Sequence, residues 1–138
     1  MSRYPHMRPE DVAIWELFIE QNPNFYETVD YDFRLGDGVL PADQVKDNFD
    51  KNKHELSQKR ADVIGYHNGS IDIIEIKPRA GASALGQILV YLKLFETQHE
   101  GAQALTPVVI TDTLQPDMLD IYASHNILVH EINPPKTE

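Results

Sequence analysis

"IDIIEIKPRAGASALGQILVY", residues 71–91, is the stretch whose reading decides the fold. Its opening "IDIIEIK" is β-branched and apolar except for Asp72, Glu75 and Lys77, and Pro78 ends it, as at the end of a strand. "RAGAS" is a connection of small residues. "ALGQILVYLKLFETQ", from Ala84, reads as a helix that is apolar nearly all round as far as Leu92, and is expected to be well buried. Side chains alternate along a strand, so Ile71, Ile73, Glu75 and Lys77 share one face, and Asp72, Ile74 and Ile76 share the other. Glu75 and Lys77 therefore follow two isoleucines onto a covered surface, about 7 Å apart along the backbone. In the helix, Gln87 and Tyr91 stand four residues apart and share a face. Polar groups in so apolar a setting need partners.

Working outward, "RADVIGY" before this stretch is a second strand, and "HNGS" between the two carries the Asn-Gly signal of a tight hairpin. A simple hairpin pairs residues whose numbers have a constant sum. With the turn centred between Asn68 and Gly69 that sum is 137, and Asp62 and Glu75 satisfy it. The two carboxylates are then cross-strand neighbours with Cβ atoms about 5 Å apart.

Residues 9–21 read as a helix, with Pro9 in the first turn, Pro23 enforcing the stop, and Val12, Trp15, Phe18 and Ile19 as its apolar face. Residues 25–35 are strand-like, "GDG" at 36–38 is a turn, and 41–58 is a polar loop or a short helix. After the helix, 107–111 is a short buried strand, 115–125 a helix and 127–132 a last strand, followed by a fraying tail. The expected order is α-β-β-β-α-β-α-β: an α/β protein with a mixed β-sheet flanked by helices on both faces.

A length of 138 residues suits a single domain, 1–138. The chain has no apolar run long enough for a bilayer and no signal-peptide core, so no membrane association and a cytoplasmic location are expected. With no cysteine, disulfides, thiolate metal sites and cysteine nucleophiles are excluded. A net charge of −10 argues against a general nucleic-acid coat. The charge is uneven, however. Residues 46–79 hold seven basic and six acidic side chains, so the rest of the chain carries −11. That segment is either a solvated loop or a local phosphate-facing edge.

Two adjacent carboxylates repel unless a cation lies between them. A hard ion such as Mg²⁺ takes one or two carboxylates and keeps several waters. Lys77 alongside supplies a point charge for a water or a phosphate. This set suits metal-assisted phosphodiester hydrolysis. Asp62, "EIK" at 75–77, and Gln87 with Tyr91 resemble the PD-(D/E)XK nuclease superfamily, in its RecB-like branch with Q-x-x-x-Y. The element order is similar to that superfamily's restriction-endonuclease-like core, and the nearest likeness is to small phage- or prophage-encoded members, which would act in the host cytoplasm.

The resemblance implies a Mg²⁺- or Mn²⁺-dependent deoxyribonuclease. It makes Asp62, Glu75 and the carbonyl of Ile76 metal ligands, Lys77 the catalytic lysine, and Gln87 and Tyr91 positioning groups. A first-helix glutamate joins the site in many members; of Glu10, Glu16 and Glu20, Glu16 borders the expected apolar face and is chosen. Asp62 follows Ala61, not a proline. Lys59, Arg60 and Arg79 flank the site as candidates for the DNA backbone.

Alternative readings stay open. Glu75 and Lys77 are a possible edge-strand pair that blocks aggregation. Gln87 and Tyr91 are a possible buried hydrogen-bonded pair, and Asp30 and Asp32 could add a ligand but fit strand-end roles better. The six histidines show no metal-ligand spacing and read as surface or loop residues. The chain as a whole could be an inactive scaffold module or an RNA-directed hydrolase, and a homodimer would let two sites address two strands.

Overall fold

Among the described residues, five strands form one sheet: β1 (Thr28–Leu35), β2 (Lys59–His67), β3 (Ser70–Ile76), β4 (Leu105–Thr111) and β5 (Leu128–Glu131). They lie side by side in chain order. β1, β2 and β3 are antiparallel, whereas β3, β4 and β5 run parallel. Among the described residues, the helices that cover the sheet are α1 (Pro9–Gln21), α2 (Ala82–Gln98) and α3 (Leu119–Ser124). This is a computed structural model, and it describes residues 7–36, 38, 42–51, 59–99, 101 and 104–132. Residues 52–58 of the polar stretch, with Lys53, and the tail from 133 lie outside the described residues.

The sheet separates two cores. On one face α1 sets Ile14, Trp15 and Phe18 against Val63, Ile74, Ile76, Val108 and Ile110. On the other, Ala84, Ile88, Tyr91 and Phe95 of α2 and Tyr122 of α3 pack on Ile64, Ile73 and Val109. β3 and β4 are covered on both sides, which is why they read as nearly continuous apolar runs. β3 is the middle strand, so the edge-strand reading of Glu75 and Lys77 is wrong: both neighbours of β3 are occupied.

The β2–β3 turn has Asn68 at φ 50° and Gly69 at φ 75°. Two central residues with positive φ give the twist that joins antiparallel strands in two residues. The pairing runs from His67 opposite Ser70 to Val63 opposite Ile74, at the constant sum of 137. The next position in that register brings Asp62 opposite Glu75.

Three expectations need correction. β1 starts at Thr28 and not at residue 25, because Phe25 and Tyr26 leave the sheet plane. A Cβ on Gly65 would lie 2.5 Å from the Tyr26 ring, so the glycine admits the aromatic. α2 is not buried all round. Its buried stripe is Ala84, Ile88, Tyr91 and Phe95, while Val90 is 45% exposed and Gln87 faces solvent. The helix expected at 115–125 is a 3₁₀ turn at Pro116–Met118 followed by the short α3.

Candidate active site

The carboxyl end of β3 opens into a cleft. Asp62 enters from β2, Glu75, Ile76 and Lys77 from β3, Pro78 and Arg79 from the turn beyond, Gln87 and Tyr91 from α2, and Arg8, Glu10 and Asp11 from the start of α1. The carboxyl ends of parallel strands are where open α/β sheets place ligands. Here the same strand end is also the antiparallel partner of β2, so one hairpin delivers two acids.

Asp62 is fixed by the backbone: its Oδ2 accepts the N–H of Ile76 at 2.9 Å. Its carboxyl lines the cleft beside that of Glu75. Glu75 is buried, and its Oε2 has no hydrogen-bond partner. Burial and then the neighbouring carboxyl of Asp62 push the Glu75 carboxyl far above the usual carboxylate range, against the smaller opposing pull of Lys77. Two carboxyl groups this close hold either a proton or a cation between them. Tyr91, one helix turn beyond Gln87, is buried, and its phenol is raised by burial first and then by the charges of Glu75 and Asp62. It therefore remains an O–H donor at neutral pH.

The donor set fits a hard divalent cation. One carboxylate is held by a main-chain N–H, the other has a buried oxygen without a partner, and water has access through the cleft. Among the described residues no three His, Asp or Glu groups gather closely enough to chelate an ion by themselves. The ion suited to this place is one that keeps much of its water shell, as Mg²⁺ does.

The structure brings together Asp62, Glu75, Ile76, Lys77, Gln87, Tyr91 and Arg79. It does not bring Glu16: that side chain is exposed and does not line the cleft. The first-helix acids at the cleft are Glu10 and Asp11. The reason is a rotation of the helix face. The buried residues are Ile14, Trp15 and Phe18, while Ile19 is 40% exposed. Asp11 precedes Ile14 by three and Trp15 by four, so it shares their face; Glu16 does not. The Asp11 carboxyl is raised by burial and by Asp62, although the backbone N–H of Arg8 donates to it at 3.4 Å. Lys59 is exposed and Arg60 half-buried, and neither lines the cleft. Arg8 does, and nothing in its local sequence singled it out. Gln87 is exposed, so the expectation of a buried glutamine–tyrosine pair is wrong.

Three histidines also depart from the surface reading. His67 Nε2 lies 3.1 Å from Asp72 Oδ2, His99 stacks on Phe95, and His130 packs at a tilt against Phe18 and edge-on against Phe25. His6 and His54 lie outside the described residues.

Residues 51–138 match the family described as Endonuclease NucS C-terminal domain. No curated protein sequence is significantly similar to the chain. Among solved structures, a repair endonuclease from Pyrococcus abyssi is similar over 94% of this chain, with a TM-score of 0.57 and 16% identity. The EndoMS–dsDNA2 complex is similar over 99% of the chain, at 0.54 and 15%, and AF1548, a protein of unknown function, over 94%, at 0.52 and 14%. This chain spans 49%, 51% and 60% of those three chains. The shared element is the α/β, restriction-endonuclease-like fold, and with the family match extending over more than half its length the chain belongs to the Endonuclease NucS C-terminal domain family.

Proposed function

We propose that this chain is a divalent-metal-dependent endonuclease that hydrolyses DNA phosphodiester bonds, with Mg²⁺ or Mn²⁺ as its cofactor. The observation that carries the reading is the Asp62–Glu75 pair at the end of a central strand, with a buried, unpartnered carboxylate oxygen and Lys77 in the same cleft. The family's endonuclease character and the duplex DNA named in the EndoMS structure support DNA as the substrate class. The PD-(D/E)XK assignment is supported by Asp62, Glu75 and Lys77 lining one cleft, and the Q-x-x-x-Y element by Gln87 and Tyr91 lining it as well.

Asp62 and Glu75 would hold the ion, with the carbonyl of Ile76 as a further ligand. Bound there, an ion would supply charge neutralisation at a phosphate and a water that ionises near neutral pH. Lys77 orients the attacking water by its ammonium group. Tyr91 keeps its proton and donates to a carboxylate or a phosphate oxygen. Gln87, at the rim, has an amide free to meet the sugar–phosphate backbone. An acidic protein can hold DNA here because Arg8, Lys77 and Arg79 place cations around the cleft. Lys59 and Arg60 extend that basic edge along β2. All described strands belong to one sheet, which supports reading 1–138 as one nuclease domain. A homodimer, which a sizing column tests, would let two such sites address two strands. No helix among the described residues is long and apolar enough to cross a membrane.

The test is cleavage of single-stranded, duplex and branched DNA by the purified chain with Mg²⁺ or Mn²⁺, and its loss in EDTA. A chain that cuts none of these is a binding module instead, and one that cuts only RNA has the wrong substrate assigned.

A further inference from the structure

Beyond the cleft residues themselves, the connection from β3 to α2 is held from outside by the segment after β4. Arg79 has φ 44°, a left-handed conformation that a non-glycine residue adopts only when something fixes it. Its N–H donates to Asp112 Oδ1 at 2.8 Å. The next N–H, of Ala80, donates to Thr111 Oγ1 at 3.1 Å, and Thr111 is fully buried. The carbonyl of Ala80 accepts the N–H of Gln115 at 3.0 Å, and that of Gly81 accepts the Tyr122 hydroxyl at 2.6 Å. A Cβ on Gly81 would stand 2.5 Å from the Gln115 side chain, so the clamp closes tightly on the backbone. Lys77 lies immediately before this connection and Arg79 within it, and both line the cleft.

We propose that Asp112, with Thr111 behind it, is a positioning residue of the nuclease site: it locks Arg79 in the left-handed turn and so aims two cationic side chains at the substrate backbone. The proposal rests on the nuclease reading and deepens it by naming what sets affinity for the phosphate chain. Charge alone argues the other way. Asp112 is an acid beside a cleft meant for DNA, and removing it should tighten binding if only the field mattered. Loss of one hydrogen bond that holds a strained turn should instead weaken it.

The experiment measures duplex DNA binding in EDTA, cleavage kinetics with Mg²⁺, and amide hydrogen exchange, for wild type, Asp112→Ala and Asp112→Asn. Asp112→Ala should weaken binding about tenfold, a loss of one good hydrogen bond. It should raise KM far more than it lowers kcat, and deprotect the Arg79 amide. Asp112→Asn removes the charge but keeps an acceptor oxygen, so it should restore most of the affinity and the protection. Tighter binding in both variants, or unchanged exchange at Arg79 in Asp112→Ala, overturns the proposal. A wild-type chain that neither binds nor cuts DNA overturns the nuclease reading itself, and is told apart because the parent, not the variant, fails.

Discussion

β3 carries two buried acids, Asp72 and Glu75, three residues apart, and they are treated in opposite ways. Asp72, 2% exposed, accepts the Tyr26 hydroxyl at 2.7 Å and faces His67 Nε2 at 3.1 Å, both on the same oxygen. Glu75, 5% exposed, meets a second acid and leaves one oxygen without a partner. Burial of an ionisable group costs free energy unless partners offset it. At Asp72 the chain itself supplies them, and the carboxylate ties the aromatic segment before β1 to the hairpin. At Glu75 the chain withholds them, and the deficit is what a cation would fill. The difference separates an acid whose hydrogen bonds the fold meets from one it leaves open to a ligand, although both look alike in a strand sequence.

The sharpest way to break that comparison is Lys77→Ala. It should lower DNA cleavage by about 10²–10⁴-fold, in the range of losing a positioned proton-handling group, with an unchanged circular dichroism spectrum. A variant that still cuts at near wild-type rate takes the chemistry away from this end of β3. Asp72→Ala comes next and should act on stability. It leaves the Tyr26 hydroxyl and His67 without their acceptor, costing about 2 kcal/mol in a urea titration, while the folded fraction still cleaves. If activity per folded molecule collapses as well, the division between the two acids fails.

Glu75→Gln should retain the fold and lose the rise in melting temperature that Mg²⁺ or Mn²⁺ gives wild type, since ligand binding stabilises only a protein with the site. An equal metal-dependent shift in the variant puts the ion elsewhere.

The smallest effect concerns His130, beside Phe18 and Phe25, whose imidazole burial holds below its ordinary value of 6.5, with the nearby Asp72 acting weakly in the opposite direction. The unfolded chain takes up that proton first as pH falls. Stability from this group is thus present above pH 6.5 and is lost on acidification below it. Urea midpoints at pH 7 and pH 5.5 measure it, and His130→Phe should flatten the difference. A steeper fall in the variant assigns the acid sensitivity to another group.

Much of the cleft was legible because its geometry is local. Asn68-Gly69 sets a two-residue turn, the turn sets the register, and the register puts Asp62 across from Glu75. Alternation along β3 then places Lys77, and helical spacing places Gln87 near Tyr91. The first helix was not legible in the same way. Its apolar residues span two overlapping arcs, one including Ile14 and the other Ile19, and periodicity allows both. Packing against Val63, Ile74 and Val108 selects the arc with Ile14, which brings Asp11 to the site and leaves Glu16 in solvent. Likewise α2 is apolar on more faces than it buries, because the sheet beneath covers only the stripe through Ala84, Ile88, Tyr91 and Phe95.

By itself the sequence determined the order of elements, the hairpin register and the meeting of Asp62 with Glu75, since each follows from turn chemistry and short-range periodicity. Only the tertiary structure decided which acid of α1 faces the cleft, which buried acid on β3 has its hydrogen bonds met, and how Asp112 and Thr111 hold the turn after Lys77. Those depend on contacts between segments far apart in the chain, where several side chains compete for one place and the packing of the whole sheet selects among them.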